Sequence, residues 1–238
     1  MLSEKKVIPG EKKHSLPLLD TPATVRIKFT KTGNLQFISH LDLQRTFHRV
    51  LVRANIPMWY TQGFNPHAKL VFGLPLSIGT QSVCEMADLR IDRKISLEDI
   101  KNQLNEQLTD EMQVLDAYYP TTKFNDIAFA DYTVKIRSPK ITPEYEIAAT
   151  ALFAAPIIMT KKSKSGEKEV DITDFIKKIE FCAIDGELTV NAVLSAGSTE
   201  NLNPEYLVTA LKTLDLGECP IYTIMRNRVF DKYLIEFK

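Results

Sequence analysis

ATVRIKFTK (23–31) followed by SHLDLQRTFHRVLVRANIP (39–57) decides the fold. In the first stretch Val25, Ile27 and Phe29 alternate with Arg26 and Lys28, the two-residue period of a half-buried strand. In the second, Leu43, Phe47, Val50, Leu51 and Ala54 share one helical face, and Arg45, Arg49 and Arg53 recur on the other. Ser39 suits the N-cap with Asp42 three residues on, and Asn55 and Pro57 mark the end. Between the two, Thr32-Gly33 reads as a turn and 35–39 as a short second strand piece.

Outward from this pair, KLVFGLPL (69–76) and SVCEMADLRI (82–91) read as strands. SLEDIKNQLNEQL (96–108) reads as a helix capped by Ser96, and MQVLDAYYP (112–120) as a closing strand. The order is β-α-β-β-α-β, the ferredoxin-like pattern. The remainder begins the same way. FADYTVKIR (129–137) is a strand and PEYEIAATALFAA (143–155) a helix. Residues 157–172 read as two strands around a lysine-rich loop. KKIEFCAIDGELTVNAVLS (177–195) is a hairpin turning at Asp185-Gly186. A helix over 203–214 and terminal strands over 221–237 complete it. The expectation is an α+β protein of two tandem ferredoxin-like halves, with antiparallel sheets and helices packed on one face. A polar, flexible leader would occupy 1–22, the first half 23–122 and the second 126–238.

The 238 residues are 44% hydrophobic, enough for a sizeable core. No apolar run has the length to span a bilayer, and the lysine-containing first twenty residues lack the continuous apolar stretch of a secretory signal. The three cysteines, Cys84, Cys182 and Cys219, are far apart and odd in number, which suits a reducing, cytoplasmic setting. They form neither a CxxC pair nor a cluster-binding triplet, so the expectation is that this chain binds no metal or cofactor itself. Net charge is zero but uneven. Residues 1–80 hold 11 Lys/Arg against 4 Asp/Glu, and 81–238 hold 19 against 26. Either the basic part faces an anionic partner or the two parts neutralise each other.

Chemistry concentrates in WYTQGFNPHAKLVFGLPL (59–76), which packs Tyr60, Gln62, Gly63, Asn65, His67 and Lys69 into ten residues. Gly63 permits a positive φ and Pro66 restrains Asn65, so a shaped binding loop and a merely self-bonded loop both fit. Arg45, Arg49 and Arg53 present forks that match phosphate oxygens, with Trp59 and Tyr60 as stacking surfaces; the plain alternative is a solvated helix face. His40, in the first helical turn, is either a pocket histidine or a buried one bonded to a neighbouring strand. His40 and His67 are the candidates for a general base. A metal set of His40, His67, Glu85 and Asp88 has the right ligand types but no local spacing. In the second half Ser198 and Asn201, ahead of a helix start with Asn203 and Pro204, suit either anion binding or simple capping. There is no P-loop, no GxGxxG and no GxSxG.

KTGNLQFISHLDLQR (31–45) with YTQGFNPHAKLVFGLPLSIGTQSVCEMADLRI (60–91), supported by GSTENLNP (197–204) and IMRNRVF (224–230), resembles a bacterial family of radical-SAM-associated proteins of unknown function. In some of its members the domain is fused behind a B12-binding-type radical-SAM region, and in others it stands alone. Ala68, Cys84 and Met86 depart mildly from the family's pattern. The resemblance implies a radical-SAM partner that would carry the iron–sulfur cluster and S-adenosylmethionine. The chain would then be an accessory protein holding RNA or another anionic substrate. The binding residues would be Arg45, Arg49, Arg53, Tyr60, Gln62, Gly63, Asn65, Lys69, Glu85, Ser198, Asn201 and Arg226. Two enzymatic alternatives stay open: a metal-independent RNA-processing enzyme with a histidine general base, and a metal-dependent hydrolase.

Overall fold

Ser39 opens the arginine helix as its sequence requires: its Oγ accepts from the Asp42 backbone N–H at 3.1 Å. Asn55, just past the helix end, takes a left-handed φ of 54° and turns the chain away. The structure is a computed structural model describing residues 16–163, 166–217 and 220–238. Most of the expected leader, the tip of the lysine-rich loop and Cys219 lie outside the described residues.

The chain divides into two compact units. One comprises the residues up to Pro75 with Glu85–Thr121; the other comprises Leu76–Cys84 with Thr122–Lys238. The first unit runs β1 (Leu18–Lys31), a 3-10 turn (Gly33–Phe37), α1 (His40–Arg53), β2 (Leu70–Phe72), β3 (Thr80–Arg93), α2 (Leu97–Asn105) and β4 (Val114–Tyr118). Its strands lie in the order β4-β1-β3-β2. The β1–β4 and β2–β3 pairings are antiparallel. The core forms where α1 lays Leu43, Phe47, Val50 and Leu51 on Val25, Ile27 and Phe29 of β1 and on Leu89 and Ile91 of β3. Alternation puts Arg26 and Asp88 on the opposite face of these strands, where the fully buried guanidinium grips the carboxylate through two bonds of 2.7 and 3.0 Å. The second helix repeats the capping chemistry, with Ser96 Oγ accepting from Asp99 at 3.0 Å.

Two expectations need correction. The first strand starts at Leu18, inside the supposed leader, because Pro17 accepts a backbone bond from Lys94 and Leu16 one from the Arg93 side chain. Residues 35–39 are not a strand piece. Gly33 takes φ 56°, the Leu35→Thr32 and Ile38→Leu35 bonds satisfy the backbone locally, and the chain coils into the 3-10 turn instead.

The second unit contains β5 (Ile127–Arg137), α3 (Glu144–Phe153), the hairpin β6 (Ile158–Ser163) and β7 (Gly166–Asp171), β8 (Ile176–Ile184), β9 (Glu187–Ser195), α4 (Glu205–Leu211) and β10 (Ile221–Asp231). Its strands lie in the order β10-β5-β9-β8, antiparallel throughout. The first residues of β3, Thr80–Ser82, belong to this unit and pair in parallel with β10. At the β8–β9 turn Asp185 and Gly186 both take positive φ, 49° and 77°, which a two-residue hairpin demands. The fold is thus mixed α/β, with mostly antiparallel pairing and few helices.

Candidate functional site: a basic helix face and a pinned ribbon

The surface of α1 follows from the arithmetic of its core. Four buried side chains fix one face, so Arg45, Arg49 and Arg53, about 100° per residue further round, are exposed. Arg45 pairs with Asp42 at 3.3 Å. That contact and, foremost, the Ser39 hydroxyl hold the Asp42 carboxyl below its ordinary value. Arg49 and Arg53 have no partner among the described residues. Asp42 is also the last carboxylate for a long way: residues 43–84 contain four Lys/Arg, two His and no Asp or Glu. Along the sequence this stretch therefore carries cations only, a composition that suits an anionic partner.

From the end of α1 the chain forms a short ribbon over 59–69. Tyr60 and Ala68 form an isolated bridge, Thr61 donates its N–H to the His67 carbonyl, and Lys69 donates to Trp59. Trp59 and Lys69 are tied in turn to Arg90 of β3, whose guanidinium sits 5.6 Å from the Trp59 ring centre. The His67 backbone N–H donates to Thr61 Oγ1 at 3.1 Å, while Nδ1 lies 3.1 Å from that hydroxyl and 3.3 Å from the Asn65 carbonyl. His67 Nδ1 thus lies between a hydroxyl that can donate or accept and a carbonyl that only accepts. The same knot presents Gln62, Gly63, Asn65, His67 and Lys69 at the surface. Tyr60 is half-buried against the core.

The two candidate histidines do not meet. His40 is bonded to the Gln44 amide at 3.1 Å and sits edge-on to Phe72, ring centres 5.4 Å apart. The histidine coupled electrostatically to His67 is instead His48, which sequence reasoning missed. Loss of solvation, and secondarily the His67 charge, push the His48 pKa below the ordinary 6.5, although its side chain still reaches solvent. The signal for it was present: His40, Gln44 and His48 follow one another at four-residue spacing along one edge of α1.

Because folding lowers the His48 pKa, the unfolded chain binds the proton more readily. This group therefore costs no stability above pH 6.5 and destabilises progressively as the pH falls through 6.5 towards the folded value. A bound polyanion opposes the shift. An NMR titration of the His48 ring is expected to give a midpoint below 6.5 that rises when an oligophosphate is added.

Other candidates are removed by burial or by prior commitment. Glu85 and Arg226 are 3% and 2% exposed, so neither lies on a binding surface. Both are buried on strands, which a charged residue in an apolar strand does not announce from sequence. Asp88 is held by Arg26. Among the described residues no three His, Cys, Asp or Glu come together as a metal set. Ser198 and Asn201 are exposed, but the Asn201 carbonyl accepts from Lys161 and its backbone bridges Ala196. Asn203 Oδ1 caps α4 through Glu205 at 3.2 Å, the plain capping reading, and α4 has only seven residues.

The class this defines is a mixed α/β protein that exposes a basic helix face and ribbon. By sequence the chain belongs to the family described as "Uncharacterized protein conserved in bacteria (DUF2344)", whose profile matches residues 24–204. No curated protein matches it. Among solved structures it is similar to a chain of a Cbf5-Nop10-Gar1 complex, at 11% identity and TM-score 0.48, covering 94% of this chain and 60% of that one. A chain of the archaeal box H/ACA sRNP Nop10-Cbf5 complex gives 11% identity and TM-score 0.43, covering 85% and 46%. An H/ACA RNP bound to a substrate RNA containing 2'-deoxyuridine gives 12% and 0.45, covering 94% and 59%. This chain thus spans about half to three-fifths of the length of those chains. Similarity this remote bears no weight on function. Among the described residues no helix is long and apolar enough to cross a membrane.

Proposed function

We propose that the chain is a cytoplasmic accessory protein that holds an anionic substrate, RNA foremost, on the exposed face of α1 and the adjoining ribbon. The observation that carries this is the unbroken absence of carboxylates over 43–84, together with the exposure of Arg45, Arg49, Arg53 and Lys69. Packing has no use for these side chains, and two of the arginines have no protein partner among the described residues. Phosphate oxygens match their forks. The radical-SAM partner rests on the sequence resemblance alone, and recovery of such a protein in a pull-down from native lysate is its test.

The α1 surface has a sharper test. Arg49→Glu is expected to weaken binding of RNA and of heparin several-fold, and to make the log–log salt slope shallower by about one. Its thermal melt is expected to match the wild type, since Arg49 is exposed. Unchanged affinity would remove α1 from the binding surface.

The same reading extends to the fold. The strand orders β4-β1-β3-β2 and β10-β5-β9-β8 support two ferredoxin-like halves, the second carrying the β6–β7 hairpin as an insertion after α3. The division between them would then fall near residues 121–122, close to the 123–125 expected from sequence, with 76–84 contributed to the second half.

A further inference from the structure

We propose that Phe64, at the tip of the 59–69 ribbon, stacks on unpaired nucleobases, so that the ligand class of this surface is single-stranded nucleic acid and not polyanions at large. The proposal rests on the reading of α1 and the ribbon as an anion-binding surface, and adds to it the part of the ligand that phosphate contacts cannot distinguish.

Phe64 is 103% exposed, as open as a side chain can be, whereas Phe29 and Phe47 of the same unit are fully buried. A ring held wholly in water contributes nothing to the core. It does not hang from a slack loop either. The Tyr60–Ala68 bridge, the Thr61–His67 backbone bond and the Thr61–His67–Asn65 contacts fix both arms of the ribbon below it. Gly63, with φ 150° and nothing within 4 Å of the place a Cβ would take, gives the tip its turn without crowding. A pinned aromatic loses little freedom when it binds.

The flanking chemistry chooses among the surfaces an exposed ring could enter. Gln62 and Asn65, also exposed, carry amides whose paired donor and acceptor match base edges. Lys69 on the same ribbon and the exposed α1 arginines supply cations for a phosphate backbone. In a lipid interface the same two amides would be driven into a region where they lose water, while base stacking leaves them solvated. A single ring is also a weak lipid anchor. A duplex hides its base faces, so stacking requires unpaired bases, and it tolerates any sequence because every base has a π-face.

Three probes separate the outcomes on the full chain: a short labelled single-stranded RNA, the same RNA annealed to its complement, and heparin. Phe64→Ala is expected to weaken the single strand about tenfold and to leave duplex and heparin within about twofold, with Phe64→Tyr restoring the loss. Equal loss on all three probes, or no loss on the single strand, overturns the stacking role. Loss of binding to phosphatidylserine-containing vesicles with RNA binding unchanged would overturn it too and assign the tip to membranes. Arg49→Glu, run in parallel, lowers all three affinities if the basic surface is correctly read. Failure of that control is therefore distinct from failure at Phe64.

Discussion

Asp88→Ala is expected to destabilise the first unit by about 3 kcal/mol, and its melting temperature should fall by roughly 6–12 °C. The reasoning starts from burial. The Arg26 side chain has about 1% of its surface in contact with solvent, and Asp88 has 19%. Cutting Asp88 back to Ala removes both charge-assisted bonds, at 2.7 and 3.0 Å, from a buried guanidinium that cannot lose its proton. The Tyr118 phenol, itself raised in pKa chiefly by burial, stays within bonding reach of Arg26, and the Asp116 carboxylate acts on the same phenol. The residual access at Asp88 lets some water reach the vacated space, which sets the expected cost at the low end of the range for a broken buried pair. The double variant Arg26→Met with Asp88→Leu is expected to regain most of the loss, because the penalty belongs to a buried charge deprived of its carboxylate. A single variant that melts with the wild type would show that solvent reaches Arg26, and would remove the pair from the account of stability.

That pair also shows where the sequence was legible and where it was not. Its alternation placed Arg26 correctly, on the face opposite Val25, Ile27 and Phe29. Alternation alone makes that face polar and solvated. What covers a strand face is settled by distant residues, so Arg26, Glu85 and Arg226 read as surface charges and are buried. Helices were legible because their signals are local: Ser39 and Ser96 cap as expected, and the four buried positions of α1 follow from its period. The exposure of Arg45, Arg49 and Arg53 comes with that period at no further assumption. The ribbon was only half legible. Gly63 and Pro66 announced a shaped loop, but Thr61–His67 pairing sets its course, and the histidine whose charge His48 feels is His67. Histidine spacing along a helix edge is visible in a sequence; which loop comes to lie beside it depends on long-range packing.

Phe47→Ala should have the larger effect on stability, about 3–5 kcal/mol. Phe47 is fully buried at the centre of an aromatic cluster. Its ring lies 4.8 Å from Phe29 of β1 and 5.4 Å from Phe72 of β2, both tilted or edge-on. Truncation loses the transfer energy of the ring and leaves a cavity walled by two strands and a helix, none of which can close in without breaking its own ladder. Phe47→Leu, which keeps most of the volume, should cost less than half as much. Urea unfolding with an unchanged m-value and a lowered midpoint would register the loss as one of stability. The functional consequence follows from where Phe47 sits. It is two residues from Arg45 and two from Arg49, on the face that fixes how far round the helix those arginines point. Loosening it should blur the arginine stripe, so anion affinity is expected to fall in step with stability. Arg49→Glu, by contrast, should lose affinity with its melt intact. If Phe47→Ala bound RNA at full strength under conditions where it remains folded, the register of α1 would not matter to the ligand. The arginines would then act as diffuse charge, with no phosphate-spaced row of forks.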